Sequence, residues 1–488
     1  MGERKFKNHV KGSRGEEFRE KIKGLKAGEI IGVAIDVSRS YYRVMVFNFD
    51  GEVLRDPFDV DVFKGGYYQL MGEVKRLVKE FGGRKVFWAM EPTACYHHNL
   101  ARHLVGDGEE VIFLNPSQVA SNRDQRMLYG LKGDDIDLGA IADLLIRGEG
   151  YFYNLDEGVY LGLKEKTWWR EKKLKMQTQL KNQIRARLER IFPGLSSKYG
   201  GNQPLISDLW GHGFARGLMK VGLTPRQILQ MPIRCLKERF KDVGHPISTR
   251  CVERMKAYFG RMLLPEDEVL GPIIELLRRD VRLLEALELE MGEVEGEMIE
   301  GVKKTPWSHL LGKIKGIGDI MVASFAGAVG DITKYSWGSQ IFRKSGLDSK
   351  SRQSGEYEAK GLPIRRMGSR LLRCILYKMA GLVIKDNPYF GLYYEYLVGK
   401  RKKLSKKAHI AVANKLTRVM FALVRDRAEF SPPTAKIDYL EVLFSKAKKE
   451  RRQRRDERRK KREKASHDSN LFYGLEAPSL GEAISLNS

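Results

Sequence analysis

Four acidic residues in the first third of the chain have types and spacings suited to binding divalent metal ions. Asp36 stands inside an apolar stretch, and Glu91 directly follows the apolar segment KVFWAM. Asp134 and Asp137 are three residues apart at the start of a predicted helix and share one face, whereas Asp135 points elsewhere. Mg²⁺ and Mn²⁺ prefer carboxylate ligands, and two such ions about 4 Å apart stabilise the attacking and leaving oxygens of phosphodiester displacement. The pattern therefore indicates metal-assisted phosphodiester chemistry.

Each of these acids also has an ordinary structural interpretation. Asp36 could end its strand and cap the following turn, while Glu91 and the i, i+3 aspartate pair could complement helix dipoles. Two histidines, His97 and His98, follow Glu91 closely. Because adjacent residues point to different sides of a helix, both are predicted to be ordinary surface or substrate-facing residues.

The elements that carry these acids form a predicted α/β domain. IIGVAIDVS and YYRVMVFNFDGEV predict two strands joined by a turn at residues 38–41. KVFWAM predicts a third strand running into a helix that has Pro92 in its first turn, and EVIFLNP predicts a fourth strand ended by Asn115 and Pro116. A hairpin followed by alternating strands and helices predicts a mixed sheet covered by helices.

From about residue 160 the apolar pattern becomes helical. Spacings of four, four and three predict one long helix, which Pro193 and Gly194 stop, through Leu180, Ile184, Leu188 and Ile191. A second long helix carries a heptad seam formed by Leu284, Leu287, Met291, Val294 and Met298. The seam fits an amphipathic helix on its own core and an oligomer-forming helix equally well. Residues 195–265, between these helices, are predicted to be a mostly helical insertion.

The charge of the chain points to a polyanionic partner. Its 488 residues include 88 Lys and Arg against 62 Asp and Glu, a net charge of +26. Residues 1–28 carry +5, residues 445–464 carry +9 and residues 465–488 carry −3, which leaves +15 on residues 29–444. The folded body should therefore face nucleic acid, or less readily an anionic membrane surface. The 445–464 run is equally a solvated helix or a phosphate-binding arm.

Composition narrows the class of protein. Hydrophobic residues make up 42% and charged residues 31%, which excludes a wholly disordered chain or a disulfide scaffold. Four dispersed cysteines without a CxxC pair support neither a zinc site nor a disulfide framework, so a reducing cytoplasm is expected. A run of about 18 apolar residues is absent and the N-terminus lacks an apolar signal core, so an unexported protein is expected.

A further unit begins at KIKGIGDIMVASFAGAVGDI, where a GIG turn enters an apolar helix. Such a turn resembles a helix-hairpin-helix, whose amides and helix N-terminus can hold a DNA phosphate. The chain has no GxxxxGK[ST] loop, so nothing indicates chemistry driven by ATP.

Two sets of motifs resemble the DEDD transposases of the insertion sequence 110 family. AIDVSRS, EPTACY and KGDDIDLGA are similar to that family's GIDVSK, ExTGxY and KTDxxDA motifs, although Ala94 replaces the glycine of the second. GIGDIMVASFAGAVGDI, FRKSGLDSKSRQSG and GLPIRRMGSRLLRCIL resemble its C-terminal transposase domain, in the same order. The resemblance covers about residues 30–190 and 310–425.

The resemblance implies an RNase H fold of the RuvC-like type for the first domain, with Asp36, Glu91, Asp134 and Asp137 as ligands of Mg²⁺ or Mn²⁺. It also implies that Ser354 is the nucleophile, with a phosphoserine-linked DNA intermediate. Nearby arginines could bind phosphates; they are Arg352, Arg365, Arg366, Arg370 and Arg373. The implied partners are donor and target DNA, a structured bridge RNA, and further copies of the chain in a dimer of dimers.

The expected architecture is therefore α/β plus α in five segments. They are a basic arm at 1–28, a RuvC-like domain at 29–155, a helical and coiled-coil region at 156–305, a serine-bearing transposase domain at 306–444, and a tail at 445–488. The expected activity is that of a transposase or recombinase in a prokaryotic cytoplasm, associated with the nucleoid. Two alternatives remain: a nuclease that uses water in place of Ser354, and a non-catalytic RNA- or DNA-binding protein.

Overall fold

The structure is a computed structural model, and the chain divides into two compact units, residues 1–155 and 156–488. The residues it describes are 16–92, 94–126, 133–153, 158–196, 204–211, 213–264, 266–348, 363–399, 401–432 and 453, with the backbone of 353–354 and 357–358. Within these residues, no helix is both long and apolar enough to cross a membrane.

The first unit is built on a six-stranded mixed sheet of order β3-β2-β1-β4-β5-β6. Its strands are β1 (Ile30–Val37), β2 (Tyr41–Asn48), β3 (Val53–Asp61), β4 (Lys85–Met90), β5 (Glu110–Phe113) and β6 (Tyr151–Phe152). β1 pairs with β2 antiparallel and with β4 parallel, and β5 continues the parallel part. The predicted mixed α/β sheet is confirmed, and its arrangement is consistent with an RNase H-like domain.

The α-helices in the described part of this unit are α1 (Glu16–Lys21), α2 (Lys64–Glu80), α3 (His97–Gly106), α4 (Pro116–Arg126) and α5 (Asp134–Ile146). The alternation along β1 divides the core into two layers. Ile31, Val33 and Ile35 pack with side chains of α2 and α3, whereas Ile30 and Ala34 pack with side chains of α1 and α5. Each face of β1 is thus covered by helices.

The sequence prediction missed two strands and misplaced one helix start. β3 and β6 were not predicted; β3 is an edge strand that contains Pro57, a residue tolerated at a sheet edge but unfavourable in a strand pattern. The helix after β4 begins at His97, so the prediction that Pro92 lies in its first turn is wrong. Pro92 disfavours helical backbone at Glu91, and Ala94 has a left-handed φ of +46° that delays the helix.

In the residues of the second unit that the structure describes, the secondary structure is helical apart from one small hairpin. Its helices are α6 (Val159–Ile191), α7 (Gly213–Val221), α8 (Pro225–Gln230), α9 (Ile233–Asp242), α10 (Thr249–Phe259), α11 (Asp267–Lys303), α12 (Ser308–Gly312), α13 (Asp319–Val329), α14 (Gly338–Ser345), α15 (Arg370–Asp386), α16 (Pro388–Gly399) and α17 (Ser405–Asp426). The hairpin pairs β7 (Gln353–Ser354) with β8 (Tyr357–Glu358). The predicted insertion is mostly helical, as α7 to α10.

The two long helices α6 and α11 pack against each other along their length. Leu284, Leu287, Met291 and Met298 of the predicted heptad seam are all buried within the chain. Charged pairs also join the two helices, including Arg170 to Glu295, whose Nε and Oε1 are 2.6 Å apart. The seam therefore serves an intramolecular core.

The C-terminal half of this unit has a second core, to which α6 and α11 to α17 contribute. The predicted GIG turn precedes α13, and Gly316 in it has a φ of +94°, a conformation that favours glycine. A Cβ at Gly316 would also lie 3.1 Å from the carbonyl oxygen of Leu382. The backbone conformation and this close approach explain the glycine at that position.

Candidate active site on the sheet of the first unit

Asp36 and Glu91 lie side by side at the carboxyl ends of two parallel strands. The register pairs Ile35 of β1 with Met90 of β4, so the next residues, Asp36 and Glu91, stand at the same level. Asp36 has the same strand parity as Ala34, which packs with α5 side chains, so it is on the α5 face of the sheet. Glu91 is two residues after Ala89 of β4, which also packs with α5 side chains, so Glu91 is on the same face. Both carboxylates are half-buried.

The N-terminus of α5 meets this edge of the sheet. Tyr41, the first residue of β2 after the turn from β1, donates a hydrogen bond of 3.3 Å from Oη to Oδ2 of Asp134. The charge of Asp134 and this hydrogen bond raise the pKa of the Tyr41 phenol, and Asp36 acts in the same direction. Asp134 and Asp36 are therefore close enough to share one electrostatic environment. The positive end of the helix dipole favours the acids of this turn.

Two arginines hold the other acids at the start of α5. Nε of Arg43 is 2.9 Å from Oδ1 of Asp135, and its Nη1 is 3.0 Å from Oδ1 of Asp59. Nη1 of Arg123, on α4, is 3.0 Å from Oδ1 of Asp137, and this pair is largely shielded, with side-chain exposures of 23% and 18%. The hydrogen bond and charge of Asp137 raise the pKa of Arg123.

The four predicted ligands thus come from β1, the end of β4 and the first turn of α5, which the fold brings to one edge. Their oxygen donors suit Mg²⁺ or Mn²⁺. Within the described residues, however, no three acidic, histidine or cysteine side chains already form a ready metal-binding group. Asp137 is hydrogen-bonded to the guanidinium of Arg123. A metal ion that binds Asp137 would therefore have to displace this guanidinium from the carboxylate.

Tyr41, Arg43 and Arg123 were missed as partners of these acids. Their sequence signal is weak, since 93 residues separate Tyr41 from Asp134 and nothing in the pattern pairs them. The prediction for His97 is wrong: it is buried, at 5% exposure, and stacks edge-on against Phe113 with ring centroids 5.1 Å apart.

The predicted nucleophile Ser354 lies in the second unit. Its backbone belongs to β7 and pairs with Tyr357 of β8 in a two-residue antiparallel register. The Ser354 side chain, like Arg352, lies outside the described residues. The same holds for residues 1–15 of the N-terminal arm and for residues 445–464, residue 453 excepted.

Comparison with known families gives matches in both units of the chain. A model of the DEDD transposases of the IS110 family, described as transposase, matches residues 33–193. A second model, described as transposase of the IS116/IS110/IS902 family, matches residues 308–395. Together they match just over half of the chain, in the order expected from the motifs. The chain belongs to the IS110 transposase family.

A curated relative of this IS110-family chain is the insertion element IS900 uncharacterized 42 kDa protein of Mycobacterium paratuberculosis. The two are 26% identical over 177 residues, which cover 35% of this chain and 42% of the relative. The chain thus spans less than half the length of the curated relative it matches.

The predicted phosphate-binding arginines of the IS110-family chain differ in their surroundings. Arg366 and Arg370 are exposed, and Arg365 is half-exposed with its Nε 3.3 Å from Oδ2 of Asp348. Arg373 donates from Nη1 to the carbonyl oxygens of Ser345 and Arg366, at 2.9 and 3.2 Å. Burial and the neighbouring arginines lower its pKa. Arg373 thus holds the loop before α15, while Arg366 and Arg370 face solvent.

Proposed function

We propose that the protein is a DNA transposase that cleaves and rejoins DNA through a phosphoserine intermediate, with metal-assisted chemistry. The observation that carries the proposal is the convergence of Asp36, Glu91 and the first turn of α5 at one sheet edge. Membership of the IS110 family supports the reading of these acids as the DEDD set, since such domains depend in general on metal ions. The architecture proposed with it is the five-segment division given by the sequence, with a RuvC-like first domain.

The proposed chemistry is an exchange of one phosphodiester bond for another. The Ser354 hydroxyl oxygen bonds to the phosphorus as the bond to a deoxyribose oxygen breaks. The serine proton passes to solvent and the leaving oxygen takes one up, so no proton is consumed overall. Bound divalent ions would supply polarisation of the scissile phosphate and stabilise developing charge. Asp36, Glu91, Asp134 and Asp137 would hold those ions. Rejoining reverses the exchange, so bond energy is conserved and no ATP is needed.

The exposed arginines that follow the β7–β8 hairpin in the sequence would bind the DNA backbone during this exchange. Arg366 and Arg370 offer guanidinium groups to solvent near the serine-bearing hairpin in sequence. Guanidinium groups bind phosphate oxygens in a bidentate manner. Arg352 and Arg365 belong to the same proposed set.

A covalent trap tests the nucleophile. Full-length protein incubated with end-labelled DNA and Mg²⁺, then denatured, should yield protein-linked DNA. Ser354→Ala should abolish the adduct, whereas Ser351→Ala, three residues away in the same segment, should preserve it. DNA cleavage that persists in Ser354→Ala without any adduct would instead support the alternative, a nuclease that uses water.

A second pair of variants tests the carboxylates. Asp36→Asn should abolish both adduct and strand transfer, because it removes a proposed ligand with little change in shape. Asp56→Asn on β3 is the matched control, since Asp56 is exposed on the edge strand. Recombination retained in Asp36→Asn would support the second alternative, a non-catalytic nucleic-acid-binding protein.

Guidance by a structured bridge RNA is proposed from the family resemblance and from the charge of +15 on residues 29–444. In guided systems base pairing selects the target, and the protein binds backbone and shape. RNA extracted from protein purified at low salt should be one defined species when sequenced. Absence of bound RNA under these conditions would contradict guidance.

A homo-oligomer, a dimer of dimers, is also proposed. Because the predicted heptad seam is buried within the chain, a second copy would need another surface. α11 exposes Val269, Leu276 and Leu283 at intervals of seven residues, and Leu283 is 60% exposed. A stripe of this period suits a parallel or antiparallel helix of a second copy.

A further inference from the structure

The helical insertion shares a hydrophobic core with α6 and α11, and its charge is unevenly distributed. Leu236 and Phe240 of α9 and Val252, Met255 and Phe259 of α10 are fully buried against α6 and α11. Residues 204–264 contain eleven Lys and Arg but four Asp and Glu. The excess of seven positive charges must either be neutralised internally or face solvent.

One set of these cations is used inside the unit. Arg216 and Lys220 of α7 pair with Glu288 and Glu285 of α11, at 2.8 and 2.7 Å. On α10, Lys256 donates to the carbonyl oxygen of Leu229, and Arg254 donates to that of Pro204. These side chains fasten the insertion to the long helices.

A second set faces solvent on α9. The buried residues Leu236 and Phe240 fix which side of the helix is internal, and the remaining sides expose Arg234, Lys237 and Lys241. Spacings of three and four put these cations on one face, about 10 Å from first to last at 1.5 Å per residue. Arg234 pairs with Glu238 one turn away, but both are exposed, and such pairs are weak.

These three cations line a groove rather than a convex surface. The groove has a volume of about 560 Å³ and lies between α9 and the start of α10; its other lining residues are Ile233, Glu238, Pro246, Ile247 and Thr249. Three cations and one carboxylate therefore line it, and its net charge is positive. Lys237 Nζ lies 3.4 Å from the hydroxyl oxygen of Thr249. Arg239 on α9 and Arg250 on α10 are also exposed and extend the positive surface beyond the groove.

We infer that this α9–α10 groove, defined by Arg234, Lys237, Lys241 and Thr249, binds the sugar-phosphate backbone of a nucleic-acid duplex. A row of cations at helical spacing binds phosphates without reading bases. In the described part of residues 204–264 no aromatic ring is exposed, so the stacking platform typical of single-strand binding is not available there. The inference rests on the proposed function, which makes nucleic acid the polyanion that the groove meets. The role it gives to the helical insertion is to hold the duplex.

The test compares two double charge reversals in the full-length protein. Lys237→Glu with Lys241→Glu changes the groove; Lys75→Glu with Lys79→Glu changes an exposed i, i+4 pair on α2 by the same total charge. Binding of a labelled DNA duplex and of an RNA duplex is measured over a range of salt. The groove variant should bind at least one duplex about tenfold more weakly and lower the salt slope by about 2. The α2 variant should resemble wild type.

Equal binding by the two reversed variants would overturn the inference. The DNA and RNA arms distinguish the two sources of phosphate. Lys237→Gln with Lys241→Gln, checked by circular dichroism, guards against misfolding and should show a smaller loss in the same direction. The outcome is separable from the proposed function, because a wild-type protein that forms no adduct can still show groove-dependent binding.

Discussion

Gly327 on α13 packs directly against the backbone of α6. A Cβ at this position would lie 2.5 Å from the carbonyl oxygen of Leu163 and 2.6 Å from Oγ1 of Thr167. Both of these neighbours are buried. We expect Gly327→Ala to destabilise the second unit, even though alanine is the better helix former.

The magnitude follows from the shift that the new methyl group demands. Ordinary van der Waals contact begins at 3.4 Å, so α13 and α6 would have to separate by about 0.9 Å locally. Such overpacking costs about 1–3 kcal/mol, and the upper end applies because the blocking atoms include backbone. Higher helix propensity returns about 1 kcal/mol. The expected net destabilisation is about 2 kcal/mol.

Urea unfolding of the full-length protein, followed by tryptophan fluorescence, measures this difference, since Trp307 is buried in the same core. Gly296→Ala is the matched control: Gly296 lies within α11, is exposed, and a Cβ there would meet nothing within 4 Å. That variant should be more stable by about 0.5–1 kcal/mol. If both glycines respond with the same gain, the proposed close packing of α13 on α6 is refuted.

Four further outcomes are expected. Arg123→Gln should raise Mn²⁺ affinity severalfold in calorimetry by freeing a proposed ligand, whereas Arg147→Gln, whose partner is outside the proposed set, should leave it unchanged. Leu283→Glu should lower the mass measured by sedimentation if the exposed stripe joins copies; an unchanged mass would contradict that role. Ala94→Gly should stabilise the first unit by about 1 kcal/mol by relieving a left-handed φ, and a loss of stability in urea would argue otherwise. Burial acts to raise the pKa of Glu288, but hydrogen bonds and charge from Arg216 and Lys181 lower this pKa overall. The ionised carboxylate therefore stabilises the folded state above the ordinary carboxyl pKa, and this stabilisation is lost as pH falls through the lowered value. Glu288→Gln should therefore flatten the acid side of the stability profile, and an unaltered profile would count against the pairing.

Much of the fold followed from local pattern. Apolar alternation predicted β1, β2 and β4, and helical spacing predicted α6 and α11, because both signals reflect burial of one face. β3 escaped prediction because an edge strand is buried weakly, with Val60 its only fully buried residue. The start of α3 escaped because the left-handed backbone at Ala94 has no reliable signal in a non-glycine residue.

The sequence by itself determined the four acids, the motif order and the charge excess, since these depend on residue type and spacing alone. Tertiary structure decided which groups the acids contact. Arg123 reaches Asp137 from α4, and Tyr41 reaches Asp134 across 93 residues, through packing that no local period encodes. Tertiary structure also decided what the heptad seam packs against, since its pattern suited either a second copy or the same chain. The seam is buried within the chain, where α6 packs along α11. A helix of the same chain has a high effective concentration that a separate copy lacks.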